Sequence, residues 1–168
     1  MFEFQEVLQK VIQLAEEREK AYRCYCRLLY GQSSDTSITL AEAMEKEFSC
    51  PTEIATCREE WLTKEIKLRR FLYRLPERIV QMIVTVAYFG RDRDPSILNW
   101  LRGSRCWERK EIEIDQIVSK LRLGKYLRDG LELLQYPKFK GMFLKNAGIN
   151  YQKFSKKTPT SLRWEMNC

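Results

Sequence analysis

The sequence predicts an all-α protein, a compact bundle of about six helices with a basic, partly irregular C-terminal extension. Helix-forming residues dominate, and only 7 Gly and 5 Pro occur among 168 residues. Apolar side chains recur at intervals of three and four residues, which is the period of a helix with one buried face. The most apolar segment has a strand-like composition, but no other segment offers it a strand partner, so we interpret it as a helix as well.

The apolar periodicity predicts the first helices in order. The first spans Phe4 to Tyr30, and Gly31 with the polar residues after it ends that helix. A second helix, with a largely acidic face, is expected at about Leu40 to Phe48. After Pro51, a long amphipathic helix is expected from Thr52 to Arg74.

The stretch from Pro76 to Phe89 is apolar on nearly all sides, which predicts a helix buried on nearly all sides. Gly90 is expected at its left-handed C-terminal position, where glycine carries no steric penalty. Asp94 followed by Pro95 is typical of the cap and the first turn of a new helix. Residues 91–93 are therefore interpreted as a tight corner. That interpretation leaves the two arginines of the corner unexplained, and they could bind an acidic helix or a phosphate.

Two shorter helices, over residues 111–123 and 126–136 with an interruption near Gly124, are expected to close the core. Gly130 lies inside the second, where it costs about 1 kcal/mol relative to alanine, so close packing against a neighbouring helix is expected there. The apolar residues expected in the core from this part of the chain are Ile112, Ile117, Val118, Leu121, Leu127, Leu131 and Leu134.

Positive charge and aromatic rings distinguish residues 137–168 from residues 1–136, which we interpret as a helical domain. The extension is expected to pack on this domain or to project from it, as loops with a short helix near Met142 to Ala147 or as a small hairpin. It holds 7 basic residues and 1 acidic residue, whereas the domain holds 23 basic and 22 acidic residues. Lysines neutralise phosphates and exposed rings stack on unpaired bases, so this combination is typical of binding to RNA or single-stranded DNA.

The candidate binding residues combine the two corner arginines with the charged and aromatic residues of the extension. An alternative interpretation packs the rings on the helical domain and leaves the lysines solvated, which would still produce a positive patch on one side of the molecule. The candidate set is Arg91, Arg93, Lys138, Lys140, Lys145, Tyr151, Lys153, Phe154, Lys156, Lys157, Arg163 and Trp164.

The composition predicts that the protein is not an enzyme. The chain contains no histidine, which removes imidazole acid–base catalysis and the commonest metal ligand. No glycine-rich phosphate loop and no nucleophile motif is present, and Asp92 and Asp94 are better explained as helix caps than as a catalytic pair. The 6 cysteines show no Cys-x-x-Cys spacing, so reduced thiols are expected rather than zinc ligands. We expect no catalytic residue, no metal and no cofactor.

The leading expectation is a non-enzymatic binding module that contacts nucleic acid or a nucleoprotein complex through the basic aromatic extension. The alternative is a protein–protein inhibitor or adaptor, of the kind that phages and mobile elements encode, that masks a partner surface. A third interpretation makes residues 76–102 a DNA-reading helix-turn-helix, with Asn99, Arg102 and Arg105 as base contacts. Neither a signal peptide nor a transmembrane segment is predicted, so a cytoplasmic location and no membrane partner are expected.

Three segments carry a family resemblance. The stretch "IVTVAYFGRDRD", residues 83–94, is similar to an apolar helix that ends in Gly-Arg and an acidic residue. The stretch "SKLRLGKYLRDGLELL", residues 119–134, is similar to closing leucine-rich helices with a central glycine, and "VLQKVIQLAEE" fits more loosely. Taken in chain order, these parts, from about Val7 to Leu134, resemble a family of short bacterial proteins catalogued only as a domain of unknown function. The resemblance implies a helical fold and no particular activity, and the basic extension departs from that family's acidic body.

Overall fold

The structure is a computed structural model that describes residues 4–30, 45 and 51–148. Six α-helices and one 3₁₀-helix can be bounded within these residues, and no strand occurs among them, which confirms the all-α prediction for this part of the chain. The helix predicted at about residues 40–48 lies outside the described residues, apart from Glu45. The helices are α1 (Phe4–Tyr30), α2 (Pro51–Arg74), α3 (Glu77–Asp92), η1 (Pro95–Arg102, the 3₁₀-helix), α4 (Lys110–Val118), α5 (Leu123–Leu133) and α6 (Pro137–Ala147).

The helices α1 and α2 pack side by side, and α1 also packs against α5. The predicted boundaries of α1 are confirmed, and α2 begins one residue earlier than predicted. Arg18 on α1 is only 3% exposed, and its guanidinium donates hydrogen bonds to the backbone carbonyls of Val118 and Lys120. These carbonyls lie at the C-terminal end of α4, where no further helical turn supplies donors. The buried arginine therefore ties α1 to α4.

The helix α3 is the centre of the fold and packs against η1, α4 and α5. Ten of its residues are buried, which confirms the prediction of a helix covered on nearly all sides. Its predicted end is wrong, because the helix continues through Gly90 to Asp92, and Arg93 adopts the left-handed conformation with a φ of 57°. Gly90 is instead required by a close approach: a Cβ atom there would lie 1.9 Å from the carbonyl oxygen of Tyr126 on α5.

The same close approach confirms the prediction for Gly130, where a Cβ atom would lie 2.3 Å from the carbonyl oxygen of Val86. The predicted interruption between the last two core helices is confirmed, but it falls at residues 119–122, and Gly124 itself is buried in the first turn of α5. Leu121 lies in that break and is 37% exposed, contrary to its predicted place in the core. The other expected core residues from this part of the chain are buried (Ile117, Val118, Leu127, Leu134) or partly buried (Ile112, Leu131).

Asp94 caps η1 as predicted. Its carboxylate accepts hydrogen bonds from the backbone nitrogen of Ser96 at 2.8 Å and from the Ser96 hydroxyl at 2.6 Å, and these bonds lower the pKa of Asp94. Pro95 occupies the first turn, as predicted. The helix that follows is of the 3₁₀ type, and it turns Ile97, Leu98 and Leu101 into the core.

Candidate nucleic-acid interface

The helix α6 forms the beginning of the predicted basic extension. Pro137 lies in its first turn, where a backbone donor is not needed, and Gly148 ends it with a φ of 76°. Phe143 and Leu144 are buried in the core. Residues 137–147 are therefore a single helix that packs against η1, longer than the short helix expected near its end.

Polar bonds fix the C-terminal half of α6. The buried side-chain amide of Asn146 donates to the carbonyl oxygen of Leu98 at 2.9 Å and to the side-chain oxygen of Asn99 at 3.2 Å. From α3, the guanidinium of Arg78 donates to the carbonyl oxygens of Leu101 and Asn146, both at 2.9 Å. Burial lowers the pKa of Arg78. These bonds satisfy carbonyls near the ends of η1 and α6, which would otherwise lack donors.

An aromatic contact fixes the other end of α6. The ring of Phe139 packs edge-on against the ring of Phe89 near the end of α3, with 5.4 Å between the ring centroids. Phe89 lies two residues before Arg91 in the sequence. The start of α6, which carries Lys138, therefore lies near the C-terminal end of α3, which carries Arg91.

Two of the three candidate lysines on α6 lie on its exposed face. Lys138 and Lys145 are exposed, and Gly141 between them faces open space. The two lysines are about 10 Å apart along the helix axis, at 1.5 Å per residue. Lys140 is half-buried on another face, where it lines an apolar cleft of about 130 Å³ beside Phe143. No ion pair or hydrogen bond within the described part of the chain engages the side chains of these lysines.

The surface that α6 shares with η1 is cationic. The helix α6 carries three lysines and no carboxylate, and η1 carries Arg102 and no carboxylate. Each of the other five bounded helices contains both acidic and basic residues. The helices α6 and η1 are in contact, so these cations lie on neighbouring elements, and the carboxylate of Asp94 caps the start of η1.

The two corner arginines have different surroundings. Arg91 donates two hydrogen bonds to the carboxylate of Asp92, at 2.6 and 2.8 Å, and its guanidinium lies 4.4 Å from the centre of the Tyr88 ring. The bonds to Asp92 raise the pKa of Arg91 and balance its charge locally. Arg93 is exposed and makes no such bond to another described residue. Of the two, Arg93 is the one available to an external anion.

A cluster of Trp100, Arg105, Trp107 and Glu113 holds the loop of residues 103–109. The sequence did not predict this cluster. The guanidinium carbon of Arg105 lies 4.6 Å from the Trp100 ring centre and 4.7 Å from that of Trp107. Its Nη2 donates to both carboxylate oxygens of the buried Glu113, at 2.9 and 2.8 Å. A cation between aromatic faces and paired with a buried carboxylate is a structural anchor. These residues come from three different segments, so no local period in the sequence links them.

Of the three base contacts considered for a helix-turn-helix, Asn99 is engaged by Asn146 and Arg105 by Glu113, while Arg102 is exposed. The remaining candidates of the basic extension lie outside the described residues. They are Tyr151, Lys153, Phe154, Lys156, Lys157, Arg163 and Trp164.

Among residues 4–30, 45 and 51–148, no group of three or more Cys, Asp or Glu side chains lies close enough to bind a metal ion. Within this part of the chain, no helix has the length and apolar character needed to cross a membrane. No family model, no curated protein and no solved structure matches the chain.

Proposed function

We propose that the protein is a non-enzymatic binding module that contacts nucleic acid, or a nucleoprotein complex, through the exposed face of α6 and the residues that follow it. The observation that carries this proposal is the exposure of Lys138 and Lys145 on a helix that is anchored in the core and has no carboxylate. Exposed ammonium groups on a helix without a carboxylate can bind phosphates and release their counterions. Arg102 on η1, which packs against α6, is a further exposed cation.

The sequence after α6 is also basic. Its four further basic residues alternate with three aromatic residues over a short stretch, and one glutamate opposes them. Rings at this spacing provide stacking surfaces for bases that are not paired, which a duplex does not offer. The proposed ligand is therefore RNA or single-stranded DNA rather than a DNA duplex.

Fluorescence anisotropy of labelled oligonucleotides tests the proposal. A single strand and a duplex of the same sequence are titrated with the full chain at increasing salt. If the protein contacts six or more phosphates, affinity for the single strand should fall about 300-fold or more between about 50 and about 200 mM salt, and the single strand should bind more tightly than the duplex. Absence of binding to either oligonucleotide at about 50 mM salt would contradict the proposal.

A protein–protein inhibitor or adaptor is the second candidate, because α2 exposes three large apolar side chains. Leu62, Ile66 and Tyr73 on this helix are 42%, 47% and 41% exposed. A packed apolar interface weakens little with salt, in contrast to phosphate binding. Capture of a partner from native lysate that survives both nuclease treatment and high salt would favour this candidate over nucleic-acid binding.

A further inference from the structure

The thiols of Cys24 on α1 and Cys57 on α2 face each other across the helix pair. Their Sγ atoms lie 3.2 Å apart, in hydrogen-bond contact. Cys24 is exposed and Cys57 is partly exposed, so reagents in solution can reach the pair. A disulfide bond is about 2.05 Å long, so closure requires the two sulfur atoms to approach by only about 1 Å.

Neighbouring contacts along the seam between α1 and α2 hold the two thiols in this register. The ammonium of Lys64 lies 3.2 Å from the carboxylate of Glu17, and the rings of Tyr22 and Trp61 lie 5.1 Å apart. Later residues of α1 contact earlier residues of α2, which shows that the two helices are antiparallel. The cysteine contact continues this seam by one more turn, so packing on one side fixes the separation of the sulfur atoms.

The hydrogen bond between the thiols and their unequal exposure distinguish the two cysteines. The hydrogen bond is the main cause that raises the pKa of Cys57 to about 11. Cys57 therefore keeps its proton at neutral pH, and only a thiolate attacks a disulfide. Because Cys24 is the more exposed of the two, its sulfur is the one that a small disulfide reaches first.

We propose that Cys24 and Cys57 are a reversible dithiol–disulfide site that reacts with low-molecular-weight disulfides. The Cys24 thiolate attacks one sulfur of a small disulfide, breaks its S–S bond and expels one small thiolate, which takes up a proton. Cys57 then loses its proton and attacks the Cys24 sulfur of the mixed disulfide, which expels the second small thiol. Two protein thiols are oxidised to one disulfide, and the small disulfide is reduced to two thiols.

The new bond would join residues 33 positions apart and lock α1 to α2. The loop that it closes contains residues 31–50, which connect the two helices. The site lies on α1 and α2 and involves no residue of α6 or η1. It is therefore independent of the proposed nucleic-acid binding, and either proposal can fail without the other.

Peptide mapping of the oxidised full chain tests this site. The native protein is incubated with oxidised glutathione, its remaining thiols are alkylated, and the unreduced digest is analysed by mass spectrometry. The expected product is a peptide pair linked through Cys24 and Cys57, at least about tenfold more abundant than the mixed disulfide at Cys24, because the second thiol is already held in place. Cys106, an exposed thiol on the loop of residues 103–109, serves as the internal control and should form the glutathione adduct.

Two variants separate a true pair from general thiol reactivity. Cys57→Ser should stop the reaction at the mixed disulfide on Cys24, whereas Cys26→Ser, two residues away on α1, should leave the cross-link unchanged. Circular dichroism verifies that both variants are folded. In the wild type, three outcomes would each overturn the proposal: adducts on both cysteines without a cross-link, a cross-link of either to another cysteine, or no reaction at Cys24 while Cys106 reacts.

Discussion

Gly90 on α3 and Gly130 on α5 lie backbone to backbone where the two helices cross, and a Cβ atom on Gly90 would lie 2.4 Å from the backbone nitrogen of Gly130. Both glycines are buried, and the atoms they approach belong to helical backbone, which cannot rotate away as a side chain can. The central helix α3 is therefore held against α5 at a distance that only glycine permits.

Alanine at either crossing position should separate these helices. We expect Gly90→Ala and Gly130→Ala each to lower the free energy of unfolding by at least about 2 kcal/mol, and to lower the melting temperature by several degrees. Gly141→Ala is the matched control, because a Cβ there meets no atom within 4 Å. It should raise the stability by about 1 kcal/mol through better helix propensity. Equal effects of the three substitutions in thermal unfolding would contradict the close crossing.

Removal of the buried partner of Arg105 should be costly. In Glu113→Ala, the guanidinium between Trp100 and Trp107 loses the carboxylate that balances its charge. We expect a loss of about 3 kcal/mol in urea unfolding, together with a change in tryptophan fluorescence. Glu111→Ala, on the exposed face of the same helix, should cost less than about 0.5 kcal/mol. Similar losses of stability in Glu113→Ala and Glu111→Ala would show that the buried pair of Arg105 and Glu113 does not stabilise the fold.

The amide of Asn146 should control how firmly α6 is held. Asn146→Ala leaves the carbonyl oxygen of Leu98 without its donor. A lost buried bond of about 1.4 kcal/mol corresponds to tenfold faster local opening, so amide hydrogen exchange across residues 137–147 should accelerate about tenfold. Gln135→Ala, an exposed change just before the helix, is the control. Unchanged exchange rates in Asn146→Ala would show that the apolar contacts alone hold α6.

The pH dependence of Cys57 alkylation should report the contact between the Cys57 and Cys24 thiols. Because its pKa is raised to about 11, its alkylation rate should keep rising with pH towards about 11, beyond the ordinary thiol range near about 8.5. The folded state favours the protonated thiol, so this contribution to stability is present at neutral pH and is lost as the pH rises towards about 11. In Cys24→Ser, the rate profile of Cys57 should move to lower pH. A wild-type profile that levels near the ordinary range would contradict the thiol–thiol contact.

Local periodicity and capping rules were sufficient where one segment determines its own structure. The ends of α1 and the cap formed by Asp94 and Pro95 were predicted from neighbouring residues alone. Gly90 shows where such rules fail. A glycine near the end of an apolar run fits the rule for a helix C-terminus. In the structure, Gly90 is instead required because the backbone of α5 packs closely against it. The sequence does not show which helix packs there.

The candidate site was only partly accessible to sequence reasoning for the same reason. The basic character of residues 137–148 is evident from composition, yet the half-buried position of Lys140 depends on how α6 packs against the core. The pairing of Arg91 with Asp92 depends on the side-chain conformations of two adjacent residues in the last turn of α3. The contact between Cys24 and Cys57 depends on the register of α1 against α2, which periodicity alone does not determine.

The most direct measurement compares two charge-reversal variants in the oligonucleotide titration. Lys138→Glu/Lys145→Glu alters the exposed face of α6, and Lys67→Glu/Arg70→Glu makes the same change in net charge on exposed positions of α2, which packs against α1 and α4. If the face of α6 contacts single-stranded nucleic acid, only the first variant should lose affinity, and the slope of log affinity against log salt should become shallower by about 1.4, or about 0.7 for each lost phosphate contact. If both variants lose affinity equally, or if neither does, α6 is not the binding surface.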